Sequence, residues 1–214
     1  MLKLKLRANK IMDTIIQIKP FAEIIESSLN IWKAQAWQWD EAPSFGSLVT
    51  VKTLERTIFG LVSNIEICSA DAYRVVTAYK KTEEELKKEQ PQIFEFLKTT
   101  FSCITIGYQE NDILLYQLAP EPPKMHAFVF PAKYQEMVDF FSNEQYLQLL
   151  FNFSSHLFSL DELLLSILKQ LSDKDILTKD NLEKFIETFS LLTANDYRRL
   201  KLFLKRTKSI LKQF

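Results

Sequence analysis

Ser47-Leu-Val-Thr-Val-Lys52 and Ile58-Phe-Gly-Leu-Val-Ser-Asn-Ile-Glu-Ile67 decide the fold. Leu, Ile, Val, Thr and Phe dominate both runs, and branched or aromatic side chains suit a pleated surface better than a helix. The same composition recurs on either side and predicts strands at residues 14–18, 22–27, 30–37, 47–52, 58–67, 73–78, 102–108, 112–117 and 127–130. Many short strands in succession imply a barrel or a sandwich. Asn111-Asp112 has the chemistry of a hairpin turn, and Pro43 with Gly46 marks a bend before Ser47.

One helical insertion interrupts the strands at residues 82–101. Thr82-Glu83-Glu84-Glu85 fits a capping box, in which the threonine oxygen and the third-position glutamate each satisfy a backbone amide. Pro91 then divides the segment into helices at 83–90 and 91–101, and Ile93, Phe94, Leu97 and Phe101 form a stripe expected to lie on the barrel. Ala119-Pro-Glu-Pro-Pro123 is rigid and extended. Beyond Pro131 helical spacing takes over, at about 133–142, 144–156, 160–171, 179–192 and 194–213, with Ser159…Glu162 and Thr193…Asp196 as capping signals. The fold class expected is α+β, strands first and helices second. A small closed or partly open N-terminal β-barrel over 1–131 precedes a C-terminal helical domain over 132–214.

Composition agrees with a folded, soluble chain. The 214 residues are 47% hydrophobic, 25% charged and 13% aromatic, with a net charge of zero. That zero hides an uneven distribution. Residues 1–10, MLKLKLRANK, hold four basic and no acidic residues, 11–195 hold 16 basic against 26 acidic, and 196–214 hold seven basic against Asp196. The opening segment alternates like an edge strand and shares its basic, acid-poor make-up with targeting peptides. Basic ends on an acidic body suit ends that fold back or that reach an anionic partner. Cys68 and Cys103, without a close pair, suit a reducing cytoplasmic setting, and no apolar run reaches membrane-spanning length.

Several chemistries are disfavoured by residue type alone. Gly46, Gly60 and Gly107 are the only glycines, too sparse for a phosphate-cradling loop, a dinucleotide fingerprint or a hydrolase elbow. Cys68, Cys103, His126 and His156 are the only zinc-type ligands and lack metal-site spacing. Asp173, Asp175 and Asp180 miss the calcium-loop pattern, with Thr178 and Lys184 where glycine and glutamate are needed. His126 has the chemistry of a general base, but no nucleophile is singled out beside it. No cofactor is expected.

Two features stand out. Trp32, Trp37 and Trp39, in Ile31-Trp-Lys-Ala-Gln-Ala-Trp-Gln-Trp39, suit barrel core and rim, stacking on bases, or a protein interface. The last helix carries Arg198, Arg199, Lys201, Lys205, Arg206, Lys208 and Lys212 among Leu200, Phe203, Leu204, Ile210 and Leu211. Its charges suit phosphates, an acidic surface or plain solvation.

A resemblance adds to this reading. Ile25-Glu-Ser-Ser-Leu29, Ala34-Gln-Ala-Trp37, Pro43-Ser-Phe-Gly-Ser-Leu-Val49 and Phe59-Gly-Leu-Val-Ser-Asn-Ile-Glu66 resemble blocks of the HAS-barrel family. So do Thr82-Glu-Glu-Glu-Leu86, Glu89-Gln-Pro-Gln-Ile-Phe94, Ile106-Gly-Tyr108, Leu118-Ala-Pro120 and Pro122-Pro-Lys-Met-His-Ala-Phe-Val129. In HerA-type DNA-translocating ATPases and rotary ATP synthases this barrel sits at the end of each ring subunit and helps assembly or docking. The sequence is similar to stand-alone bacterial members and carries no ATPase core. The resemblance thus implies docking or scaffolding and gives no ground for ATP hydrolysis or DNA translocation.

The expected function is a non-enzymatic protein-interaction or assembly module, docking on a ring ATPase or on copies of itself, with Trp37 and Trp39 among its contact residues. The alternative is nucleic-acid binding through Arg198, Arg199, Lys205 and Arg206 of the last helix together with the exposed tryptophans. A third class is an enzyme built on His126, nearby acids and an aromatic pocket.

Overall fold

A computed structural model describes residues 18–71, 77–194 and 196–211. Seven strands are present: β1 (Ala22–Ser27), β2 (Ile31–Ala36), β3 (Leu48–Lys52), β4 (Arg56–Ser69), β5 (Leu97–Glu110), β6 (Ile113–Leu115) and β7 (Phe128–Pro131). Six close a ring in the order β2-β1-β7-β3-β4-β5, sealed by pairing of β2 with β5, and every pair is antiparallel. Closure pairs each ring strand on both sides over part of its length, while among the described residues 63–69 of β4 run past β3 and pair with β5 alone. Along one side of β5, residues 100–104 pair with β2 and residues 108–110 with β6, so β6 extends the sheet beyond the ring. Asn111 and Asp112 both take positive φ, 49° and 62°, which makes the β5–β6 connection a type I′ hairpin turn.

The strands fall into two kinds, and burial explains why. In β1 and β2 it alternates: Ala22, Ile24, Trp32, Ala34 and Ala36 are buried, while Glu23, Ile31, Lys33 and Gln35 are only partly covered. In β3 the run Leu48-Val-Thr-Val51 is buried throughout, and so is Ile58-Phe-Gly-Leu-Val62 in β4. A strand buried on both faces reads as a continuous apolar run, whereas one facing solvent alternates. Val49, Val51, Ile58, Val62, Phe101 and Cys103 join Ile24 and Trp32 inside the barrel. Leu48, Phe59, Leu61, Ile104 and Ile106 point the other way, into a second cluster shared with the helices.

Those helices are α1 (Glu83–Glu89) and α2 (Gln92–Glu95) between β4 and β5, then α3 (Tyr134–Phe141), α4 (Tyr146–Asn152), a 3₁₀ turn at Ser154–His156, α5 (Leu160–Asp173), α6 (Lys179–Leu192) and α7 (Tyr197–Ile210). Phe140, Leu147, Leu150, Leu163, Leu164 and Leu168 bring the apolar faces of α3, α4 and α5 onto the outside of β3, β4 and β5. The barrel is therefore covered along the β3-β4-β5 arc. Phe140 is fully buried at this junction, with its ring centroid 5.0 Å from Phe59 and 5.1 Å from Tyr116. Tyr116 Oη donates to the Phe140 carbonyl at 2.6 Å, and burial raises its phenol to about 12.

Most sequence expectations coincide with these elements, and the differences have physical causes. The capping box at Thr82 forms, with Glu85 N–H donating to Thr82 Oγ1 and Thr82 N–H to Glu85 Oε2. The expected helix over 91–101 ends at Glu95 instead. Leu97 opens β5, so Leu97 and Phe101 leave the anticipated helical stripe, and Phe101 fills the barrel. Pairing on both sides of β5 outweighs the helical spacing of those residues. Thr193 closes α6, donating its hydroxyl to the Phe189 and Ser190 carbonyls, while Asp196 alone caps α7. Residues 1–17 and 72–76 lie outside the described residues, and with them nearly all of the strands expected at 14–18 and 73–78.

Gly60 is required by packing rather than by backbone conformation. A Cβ there would stand 2.3 Å from Trp32 Cζ2 and 3.1 Å from Cys103 Cβ. Trp32 is 1% exposed and cannot swing away. Gly60→Ala is accordingly expected to cost about 1–3 kcal/mol by overpacking. A thermal melt should move down by roughly 2–4 °C for each of those kcal/mol.

Candidate functional site

The three tryptophans have three different fates. Trp32 faces inward from β2 and belongs to the barrel core. Trp39, half-buried, stacks on Phe94 of α2 with ring centroids 5.5 Å apart, and its carbonyl accepts a hydrogen bond from Thr99 Oγ1. Trp37 follows the end of β2, is 52% exposed, and meets Phe128 of β7 edge to face at 5.4 Å. Phe128 is itself 48% exposed, because its neighbour Val129 takes the inward position.

This aromatic pair marks the arc β7-β1-β2, opposite in character to the helix-covered arc. Phe128 stands across from Glu23 of β1, and Glu23 across from Gln35 of β2. Lys33 reaches Glu66 at 2.9 Å, which raises the lysine and lowers the carboxyl relative to their ordinary values through the hydrogen bond between them. His126 Nδ1 lies 2.5 Å from Glu23 Oε1 in the same region, on an exposed loop where the histidine takes φ 65°. Two half-exposed aromatic rings amid polar groups resemble the centre and rim of a protein interface.

The basic residues of the last helix separate into two sets. Arg199 grips Asp161 through Nη2 at 2.6 Å and Nε at 3.4 Å, and its guanidinium lies 5.7 Å from the Phe151 and Phe189 ring centroids. Arg206 makes a two-pronged pair with Glu162, Nη1 at 2.7 Å and Nη2 at 2.9 Å. Asp161 and Glu162 open α5 behind the N-cap Ser159, so they also complement that helix's dipole. Phe203, Thr207 and Leu211 are buried along the same inward stripe, and Phe203 stacks on Phe189 at 4.6 Å. Of the expected contact residues, Arg199 and Arg206 therefore serve in holding α7 to α5.

The Arg206 pair lowers the Glu162 carboxyl below its usual range. A lowered folded pKa contributes stability above the unfolded value and loses it as pH falls through the folded one. For a half-exposed pair that contribution is small. Arg198 and Lys205, with Lys201 and Lys208, point outward and are exposed.

The four zinc-type residues do not converge. Cys68 is exposed on β4, Cys103 is buried in the barrel, His126 lies before β7, and His156 ends the 3₁₀ turn. Among the described residues no three His, Cys, Asp or Glu side chains come together as metal donors. Burial pushes the Cys103 thiol well above its ordinary value. A thiol reagent at neutral pH should modify Cys68 alone in the native chain and both cysteines after unfolding, since the thiolate is the reactive form. Titration of free thiols in native and denaturing buffer reads this directly.

A cleft of about 520 Å³ lies beside the β3–β4 turn, lined by Lys52, Leu54, Arg56, Glu121 and Lys124 among others. Arg56 donates through Nε to Glu110 at 2.7 Å and lies 3.6 Å from Glu55. Glu55 is thus partnered by a cation. Among the described residues no helix is long and apolar enough to cross a membrane. Compared with known proteins, the chain matches no family model and no curated protein.

The exposed tryptophan was legible in principle. Trp32 and Trp37 are five residues apart, so strand alternation carried one residue past β2 directs them to opposite faces. The helical wheel likewise places Arg199 and Arg206 beside Phe203 and Thr207, away from Arg198. The pairing of those arginines with Asp161 and Glu162, some forty residues away, carries no local signal.

Proposed function

We propose that this chain is a non-enzymatic docking module whose β7-β1-β2 arc receives a protein partner, with Trp37 and Phe128 at the centre of contact. The observation that carries this reading is the half-exposed aromatic pair of Trp37 and Phe128, beside strands that give no fully buried residue to the cluster shared with the helices. Aromatic anchors of this kind dominate interface energetics. The HAS-barrel resemblance supports the same role and supplies the partner classes, a ring ATPase or further copies of this chain. A cytoplasmic setting goes with that proposal.

Sedimentation velocity over a range of concentrations, combined with affinity capture, tests it. Self-association or a retained partner should be lost in a Trp37→Ala, Phe128→Ala double variant that still melts cooperatively. A strict monomer that retains nothing, or a complex indifferent to both substitutions, contradicts the proposal.

A further inference from the structure

The outward face of α7 carries a second surface. Arg198, Lys201, Lys205 and Lys208 recur at spacings of three, four and three, which places them on one stripe of the helix. All four are exposed. None forms an ion pair with any described residue, and the helix contains no acidic side chain to neutralise them. At about 1.5 Å of rise per residue the stripe runs for about 15 Å.

We propose that this stripe binds the phosphate backbone of duplex nucleic acid. The charges are of one sign, in line, and unpaired, and the complementary partner is a rigid polyanion with closely spaced charges along a line. A duplex presents one negative charge per about 1.7 Å of its axis, so all four cations can meet phosphates at once. An anionic membrane fits less well. A helix that inserts at a bilayer surface needs its apolar face free, and here Phe203, Thr207 and Leu211 are already buried against the rest of the chain. Contacts to phosphate carry no base information, so the binding proposed is independent of sequence. It occupies a different element from the Trp37 surface and does not depend on it.

The test is fluorescence anisotropy of a labelled 25-base-pair duplex at a series of salt concentrations. Four neutralised phosphates predict a log–log salt slope of about −3.6, so affinity rises about a hundredfold between 200 and 50 mM salt. Replacing Arg198 and Lys201 by glutamine should roughly halve the slope, and replacing all four should abolish binding. Glutamine at Lys80, Lys88 and Lys98, remote in sequence from the stripe, is the charge control and should leave the slope unchanged. Circular dichroism confirms that each variant keeps its helices. No binding at 50 mM salt, or a slope unmoved by the fourfold change, overturns the proposal. So does capture by phosphatidylglycerol vesicles with no retention on the duplex.

Discussion

Phe140→Ala is expected to unfold most of the population under mild denaturation, losing about 3–5 kcal/mol, the range for truncating a buried phenylalanine. Small domains hold only about 5–15 kcal/mol in total. The residue is fully buried and packs against Phe59 of β4, Tyr116 after β6, and Phe141 and Tyr146 of the helical half. Its removal opens a cavity at the seam between barrel and helices, and neither side can close it without leaving its own packing. Because one apolar cluster runs from Leu61 and Ile106 on the barrel to Leu163 and Phe189 in the helices, the loss should be shared by both. Far-ultraviolet circular dichroism and tryptophan fluorescence should fall together in urea, at a lower midpoint than for the natural chain. Separate transitions would mean that the barrel stands without its helices.

Trp37→Ala is expected to act in the opposite way, weakening partner binding strongly and stability hardly at all. Half of the indole is already in water, and it meets Phe128 edge to face. Truncating a central aromatic anchor typically costs 2 kcal/mol or more, about a thirtyfold loss of affinity. Phe158, fully exposed before α5, is the reference, since Phe158→Ala should change neither quantity. Titration calorimetry with the captured partner, or the dimerisation constant where the partner is another copy, gives the ratio. An unchanged constant in Trp37→Ala contradicts the placement of the contact.

Much of the architecture was legible because local chemistry and tertiary structure agree. The strand expected at 22–27 is β1, the turn at Asn111-Asp112 forms, and Thr82, Ser159 and Asp196 cap helices through their own side chains. Legibility failed where partners distant in sequence decide the outcome. Ile93, Phe94, Leu97 and Phe101 have helical spacing, yet Leu97 and Phe101 are claimed by pairing of β5 with β4 and β2. The last helix looked uniformly cationic in sequence. Only Asp161 and Glu162, brought beside it by α5, distinguish the arginines that hold the fold from the cations that face outward. The continuous apolar run of β3 beside the alternation of β1 and β2 already held the clue to which arc is covered.

The proposed docking face is tested most directly by a photo-reactive amino acid at Gln35, a partly exposed residue of β2 whose side chain is directed away from the barrel core. The same group at Phe158 serves as reference. On irradiation in cells, position 35 should yield an adduct of one defined mass that disappears when Trp37→Ala is added, and position 158 should yield none. No adduct at 35, or adducts at both positions that ignore Trp37, would contradict the account.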